Sequence, residues 1–379
     1  MNLKKNSKHL SINNLFLDLV RVSIGAAGCL SRTPSEAEWG KLYKLAQKQS
    51  LVGVCFAGLQ KLGADADEGF ARIGMSEMQY LTWMGMAAKI QQKNEVVSQQ
   101  CVELQARLSA DGFRSYIMKG QAVGSLYGSL SALRQSGDID VYLEGGFEKV
   151  NEYVQRTYPT KEINELEIHY PCFPDTEVEI HFKPFVMDGP KDRVLQKFFD
   201  SCAEENFNNH INISTSSDSL TICAPTLKFN FVHQLVHIHH HMFYEGVGMR
   251  QLMDYYMVLR TVPSSKLQEV SKVVLDLDLE RFASALMWVL GHVFGLPEEK
   301  MPWSPCEKDG RFLLKEIMLS GNFGKQDKRQ KGLYDNKWNS FWMVHIKTFR
   351  LWRLDHWAWL WSPIWRIRGF LWRKLKGFK

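Results

Sequence analysis

The sequence predicts an α+β protein, with a small mixed β-sheet core set between an N-terminal and a C-terminal helical region. Three observations predict it. Apolar residues recur at helical spacing through residues 10–111 and again through 224–293. Between these regions, short segments containing Val, Ile and Tyr alternate with helical ones. The last two of those segments are joined by Pro174-Asp175-Thr176, which is hairpin chemistry. A chain of 379 residues can hold two or three domains, and its 45% hydrophobic and 23% charged content is that of a globular protein. The expected division is a helical region at 1–111, an α/β core at 112–200, a second helical domain at 220–340 and a basic, Trp-rich tail at 341–379.

Taken in order, Leu10–Gly63 reads as helical, with a helix start at Thr33-Pro34-Ser35-Glu36. Asp65 and Asp67 fall in a Gly-bounded loop and read as solvated acids. Ser76–Asp111 carries a long apolar stripe that predicts one or two long helices. Phe113–Met118 is then a strand, Gln121–Tyr127 a helix, Gly128–Gly137 a polar connection and Asp138–Leu143 a second strand. Phe147–Tyr158 fits a helix, and Leu166–Cys172 and Glu177–Phe182 are two further strands. Asn206–Ser219 reads as a loop. Leu227–Tyr244, Met249–Arg260, Ser264–Asp276 and Leu279–Val293 read as helices, and Glu298–Ser340 as less regular, with a charged loop at Gly324–Asn336.

Composition narrows the function classes. The seven Cys are an odd number, widely spaced and without a CxxC pair, which fits reduced thiols in a cytoplasmic protein better than disulfides or a thiolate zinc site. The apolar run Leu15–Val20 is short and contains Asp18, so it does not read as a signal peptide. No window is long and apolar enough to predict a spanning helix. The net charge of +6 is concentrated in residues 343–379, which hold nine Lys/Arg against one acid, Asp355. The rest of the chain is slightly acidic, which argues against a general nucleic-acid surface.

The chemistry concentrates at Gly137-Asp138-Ile139-Asp140. Side chains two apart on a strand share a face. Adjacent carboxylates repel and raise each other's pKa unless a cation lies between them, so the pair suits a hard cation such as Mg²⁺. Glu177, Glu179 and His181 share one face of a later strand, and Glu167 and His169 do so on its partner. Such a face is expected to meet water, metal or a polar ligand. If the strands adjoin, Asp138, Asp140 and Glu179 converge as a carboxylate triad.

Met118-Lys119-Gly120, Leu126-Tyr127, Arg134, Gly137-Asp138-Ile139-Asp140-Val141, Val178-Glu179-Ile180-His181 and Gly248–Asp254 together resemble the nucleotidyltransferase superfamily of DNA polymerase β type. More narrowly, they are similar to a bacterial nucleotidyltransferase family often found with surface polysaccharide genes. The resemblance covers about residues 10–295. It implies a nucleotidyltransferase core in which Asp138 and Asp140 bind Mg²⁺ (or Mn²⁺) and Glu179 is the third carboxylate. Gly120 would open the helix that faces the nucleotide phosphates, with Gly137 at the same cleft. An acceptor hydroxyl, on a protein, small molecule or glycan, would attack the α-phosphate of an NTP and release pyrophosphate. The family pattern has Gly-Ser or Gly-Gly where this chain has Lys119-Gly120-Gln121. Lys119 could supply the missing phosphate contact as a point charge, and Arg134 as a bidentate fork. The alternative is a catalytically silent member that binds nucleotide or a partner and assists polysaccharide assembly.

Two further features stand apart. His233, His237 and His241 repeat at helical spacing, with His240 beside them. They read as a polar face lining the cleft or as packed histidines, with a zinc pair at His237 and His241 as the sharper alternative. Residues 343–379 hold six of the chain's 12 Trp, interleaved with Arg and Lys. This predicts two amphipathic helices divided at Pro363 that contact an anionic membrane surface at the inner face, with self-packing and single-stranded nucleic acid as the alternatives.

Overall fold

The computed structural model describes residues 3–64, 69–215, 218–324, 327, 329 and 337–376. Asp65, Asp67 and most of the charged loop Gly324–Asn336 lie outside the described residues. The N-terminal region is helical as expected: α1 (Leu3–Ser23), α2 (Glu36–Lys48), α3 (Val52–Lys61), α4 (Gly69–Arg72) and α5 (Glu77–Ala110). α2 begins where the sequence placed a start. The Glu38 carboxylate accepts the Ser35 backbone N–H at 3.0 Å, closing a capping box. α5 is one unbroken helix of 34 residues.

The central sheet has the order β1-β2-β4-β3, built from β1 (Ser115–Met118), β2 (Ile139–Leu143), β3 (Glu167–His169) and β4 (Val178–His181). β1 and β3 run antiparallel to their neighbours, while β2 and β4 are parallel. The parallel pair needs a crossover, which contains α7 (Gly146–Thr157). Ile139, Val141 and Leu143 of β2 and Val178 and Ile180 of β4 point to one face. There they share a core with Val97, Cys101, Leu104 and Leu108 of α5 and Val150 and Val154 of α7. Period-two alternation therefore sends Asp140, Glu179 and His181 to the opposite face.

Between β1 and β2 the chain makes one α-turn, α6 (Gly120–Gly124), and then a 3₁₀ stretch, Ser125–Leu133, interrupted at Gly128 (φ 57°). The expected helix through Tyr127 is thus shorter, because Gly124 and Gly128 weaken an α-helix there. α8 (Asp192–Phe207) was not foreseen, yet Leu195, Phe198, Phe199 and Cys202 are buried at helical spacing. The expected loop Asn206–Ser219 is corrected as well. Its first residues end α8, and most of the rest forms a hairpin, β5 (His210–Ser214) with β6 (Ser219–Cys223). Ile213 and Ile222 are the buried residues that seat it on the core.

The C-terminal helices are α9 (Leu227–Tyr244), α10 (Met249–Thr261), α11 (Ser264–Asp276), α12 (Glu280–Phe294) and α13 (Glu307–Ser320), the last lying within the stretch expected to be irregular. Apolar residues of α1, α3, α9, α10 and α12 belong to a single core, so the two helical regions pack as one body.

The tail forms α14 (Lys337–Arg350) and α15 (His356–Lys376). The division falls at residues 351–355, not at Pro363. Asp355 caps α15 by accepting the Trp357 N–H at 2.8 Å, and His239 of α9 bonds Asp355 at 2.9 Å. Pro363 lies within α15. A helical proline leaves the carbonyl four residues back without its donor. Here the Ser362 hydroxyl donates to that Trp359 carbonyl at 3.4 Å. One face of α15 packs on the body: Trp361 lies over Gly189, Trp365 meets His240 and Tyr244, and Trp372 meets Phe147. Among the described residues no helix is long and apolar enough to cross a membrane.

Beneath this contact Asp188 accepts a hydrogen bond from Tyr244, with His239, Asp355 and Asp192 nearby. Burial pushes its carboxyl up to about 7. A folded pKa above the unfolded value means the fold loses stability as pH rises from about 4 to 7. Asp188→Asn keeps an acceptor for Tyr244 and removes the charge. It is expected to raise Tm at pH 8 and to leave Tm unchanged below pH 4, read by thermal unfolding across pH. A fall in Tm at pH 8 would contradict this.

Candidate active site

The register of three strands assembles the site. Asp140 of β2 stands opposite Glu179 of β4, and Glu179 stands opposite His169 of β3. Two residues along, Tyr142 opposes His181, which opposes Glu167. His181 is fully buried, and its Nε2 lies 2.9 Å from Asp140, 3.3 Å from Glu167 and 3.8 Å from Glu179. The Lys119 ammonium contacts the same Asp140 oxygen at 2.6 Å. Asp138 sits just before β2 and borders the same cleft.

The electrostatics follow from this crowding. Burial opposes ionisation of Asp140, but the Lys119 charge and the His181 hydrogen bond outweigh it, holding the carboxyl far below the usual range. His181 is disfavoured as a cation by burial, yet the Glu167 charge and its bonds to Asp140 and Glu179 lift it to about 9. Asp138 is raised, first by the Asp140 charge and then by burial. Glu167 is raised by burial despite His181. The carboxylates of Asp138, Asp140, Glu167 and Glu179 thus face Lys119 and His181, leaving the patch in need of positive charge.

That donor chemistry fits a divalent cation. Ligand atoms of Asp140, Glu179 and His181 all lie within 4.8 Å of one another, which forms a three-donor group among the described residues. Of the expected triad, Asp140 and Glu179 lie together with His181, and Asp138 borders the same cleft. Among the described residues the histidine helix supplies no such group. His237 Nε2 and His241 Nε2 are 2.9 Å apart, with His241 Nδ1 bonded to Glu245 at 2.9 Å. His237, His240 and His241 line the cleft, while His233 is buried behind it. Burial holds His233 and His240 neutral, each near 3.

The phosphate candidates are placed as follows. Lys119 has φ 47°, a region that favours glycine and costs a lysine on the order of 1–3 kcal/mol. Gly120 follows it at φ 31° and borders the cleft. α6 is only 5 residues long, too short to present a sustained helix dipole. Arg134 is buried and engaged by Asp254 of α10, Nε to Oδ1 at 2.7 Å and Nη2 to Oδ2 at 2.8 Å. Tyr127 donates to the same carboxylate at 2.6 Å. Arg250 of α10 donates to the Gln135 carbonyl at 2.8 Å, and Asn94 of α5 holds the Arg134 carbonyl at 2.8 Å. The segment leading to Gly137-Asp138 is therefore clamped from two helices. Arg134 Nη1 and Arg250 Nε have no hydrogen-bond partner among the described residues.

These walls enclose a cleft of about 1700 Å³ between the acidic sheet face, α9, α10 and α15. Arg366, Arg373 and Lys374 of α15 border it, so the basic tail forms part of its rim. His181, Arg250 and Asp254 had carried no assigned role in the sequence reading. The period-two face through Glu179 pointed to His181, and the helix spacing of Arg250 and Asp254 placed them on one face.

The chain belongs to the family described as uncharacterised nucleotidyltransferase, whose model matches residues 35–295. It is also similar to an antigenic nucleotidyltransferase-like protein from Paracoccidioides brasiliensis, at 10% identity over 56% of this chain and 96% of that one. The TM-score of 0.30 is too low for that likeness to carry an argument. No curated protein matches the chain.

Breaking a buried ion pair by removing one partner costs about 3–5 kcal/mol. Asp254→Ala is expected to lose stability of that order in urea unfolding, because it strands the Arg134 charge. Arg134→Met combined with Asp254→Ala should recover part of the loss. A single-variant loss below about 1 kcal/mol would mean that the pair is not the clamp described.

Proposed function

We propose that the chain is a metal-dependent nucleotidyltransferase that moves NMP from an NTP to an acceptor hydroxyl. The observation that carries this reading is the grouping of Asp140, Glu179 and His181, with Asp138, Asp140 and Glu179 lining a large cleft. Asp140, Glu179 and His181, the last on losing its proton to the incoming cation, would hold Mg²⁺ or Mn²⁺, and Asp138 would add a third carboxylate at its edge. A bound cation supplies charge neutralisation at the α-phosphate and lowers the pKa of the attacking hydroxyl.

The chain's own residues do the rest. Arg134 and Arg250 border the cleft and share one helix carboxylate, Asp254, which favours an anion beside them. They are the proposed phosphate contacts, with the Lys119-Gly120 turn and Gly137 lining the same wall. Lys119 would exchange its Asp140 contact for a phosphate oxygen. The acceptor oxygen then bonds to the α-phosphorus, the α–β anhydride bond breaks, pyrophosphate leaves and the hydroxyl proton passes to solvent.

A second reading is a catalytically silent member that binds nucleotide or a partner. It is favoured by the Lys119–Asp140 ion pair, which places an ammonium where a cation would otherwise sit. An association with surface polysaccharide assembly rests on the sequence resemblance alone.

The test is transfer of label from α-labelled NTPs to candidate acceptors or to the chain itself, in Mg²⁺ or Mn²⁺. Wild type is expected to transfer label, and Asp140→Asn to lose it by about 10²–10³-fold or more, the scale of removing one preorganised electrostatic group. NTP binding by wild type with no transfer to any acceptor would favour the silent reading.

A further inference from the structure

Helix α15 packs Trp residues on the body and also carries an exposed apolar stripe, whose Ile367 touches the cleft edge. Trp357, Leu360, Ile364, Ile367, Leu371 and Leu375 are all exposed, from 45% to 87%. Their spacing confines them to roughly a quarter of the helix circumference at 3.6 residues per turn. The opposite side holds Ala358, Ser362, Trp365, Gly369 and Trp372 against the body, with Arg366 and Arg373 at the cleft. α14 also exposes Ile346 and Phe349, and the turn between the helices exposes Trp352. An apolar stripe about 27 Å long, from 357 to 375, exceeds the scattered exposure expected of a soluble surface.

Charge decides the occupant. Arg368 and Lys374 are exposed and flank the stripe on either side at helical spacing, Lys374 on the side that also borders the cleft. Residues 343–379 carry nine basic residues against one acid, and that acid, Asp355, is committed to capping α15. A second copy of the chain would bring like charge against like. A lipid surface with anionic headgroups meets the basic flanks and the apolar stripe together, and Trp352 and Trp357 lie at one end of it, where indole suits the headgroup layer.

We propose that α14 and α15 form a docking surface for an anionic bilayer, with α15 lying flat in the interface. Because Arg366 and Arg373 lie across the same helix from the stripe, docking would hold the cleft one helix diameter, ~10 Å, from the lipid surface. This surface does not depend on the nucleotidyltransferase reading, since no acidic-site residue takes part.

Flotation of the full-length chain with phosphatidylethanolamine/phosphatidylglycerol vesicles and with phosphatidylcholine vesicles tests it. Wild type is expected to float with the anionic vesicles and to remain mostly at the bottom with the neutral ones. The combination Leu360→Glu, Ile364→Glu, Ile367→Glu, Leu371→Glu is expected to cut the floating fraction at least fivefold with unchanged circular dichroism. Arg368→Glu, at an exposed position that does not border the cleft, should reduce flotation with anionic vesicles specifically. Asp140→Asn should float like wild type, which separates this result from loss of nucleotidyl transfer. The proposal is overturned if wild type stays at the bottom with anionic vesicles or if both sets of variants float equally well. It is also overturned if the chain is a dimer that the four glutamates dissolve.

Discussion

The parallel pairing of β2 with β4 is the constraint on which the site depends. It sets Asp140 opposite Glu179 and Tyr142 opposite His181. A slip of one residue would turn Val141 and Ile180 into the cleft and bury the acids against α5 and α7. The apolar face prevents this, because Ile139, Val141, Val178 and Ile180 are essentially fully buried there. The hydrophobic core thus fixes the position of the charged cluster. The cost of placing carboxylates together is met by burying the opposite face of the same strands.

Charge balance then accounts for the neighbours. Lys119 and His181 both reach one oxygen of Asp140, which keeps that carboxylate ionised although it is buried. On the other wall, two guanidinia and one carboxylate come together around Arg134, Arg250 and Asp254. The cleft therefore has an acidic wall suited to a cation and a basic wall suited to an anion. A nucleoside triphosphate carried with a divalent cation has both requirements. The Lys119 backbone, held at positive φ without the relief a glycine gives, shows that the turn between the walls carries strain.

Much of this was legible in the sequence because the signals were local. The bounds of α9 and α11, the strand pair around Pro174-Asp175-Thr176, and the polar faces through Asp140 and Glu179 follow from periods of 3.6 and 2. What escaped depended on distance or compensation. Arg134 and Asp254 are 120 residues apart, and no local pattern joins them. Pro363 stays inside a helix because Ser362 serves the carbonyl it frees. The β5–β6 hairpin buries few side chains, so its alternation is faint against the polar residues around it. α8 is different: Leu195, Phe198, Phe199 and Cys202 were a readable stripe, masked by the charged residues between them.

The proposed function rests most heavily on the proposed divalent-cation site at Asp140, Glu179 and His181. Electron paramagnetic resonance of Mn²⁺ added to the purified full-length chain tests it most directly. The account predicts a bound Mn²⁺ signal with nitrogen hyperfine coupling. The coupling should vanish in His181→Gln, and binding itself should be lost in Asp140→Asn. Mn²⁺ that stays free at millimolar concentration, or that binds equally well to Asp140→Asn, would contradict it.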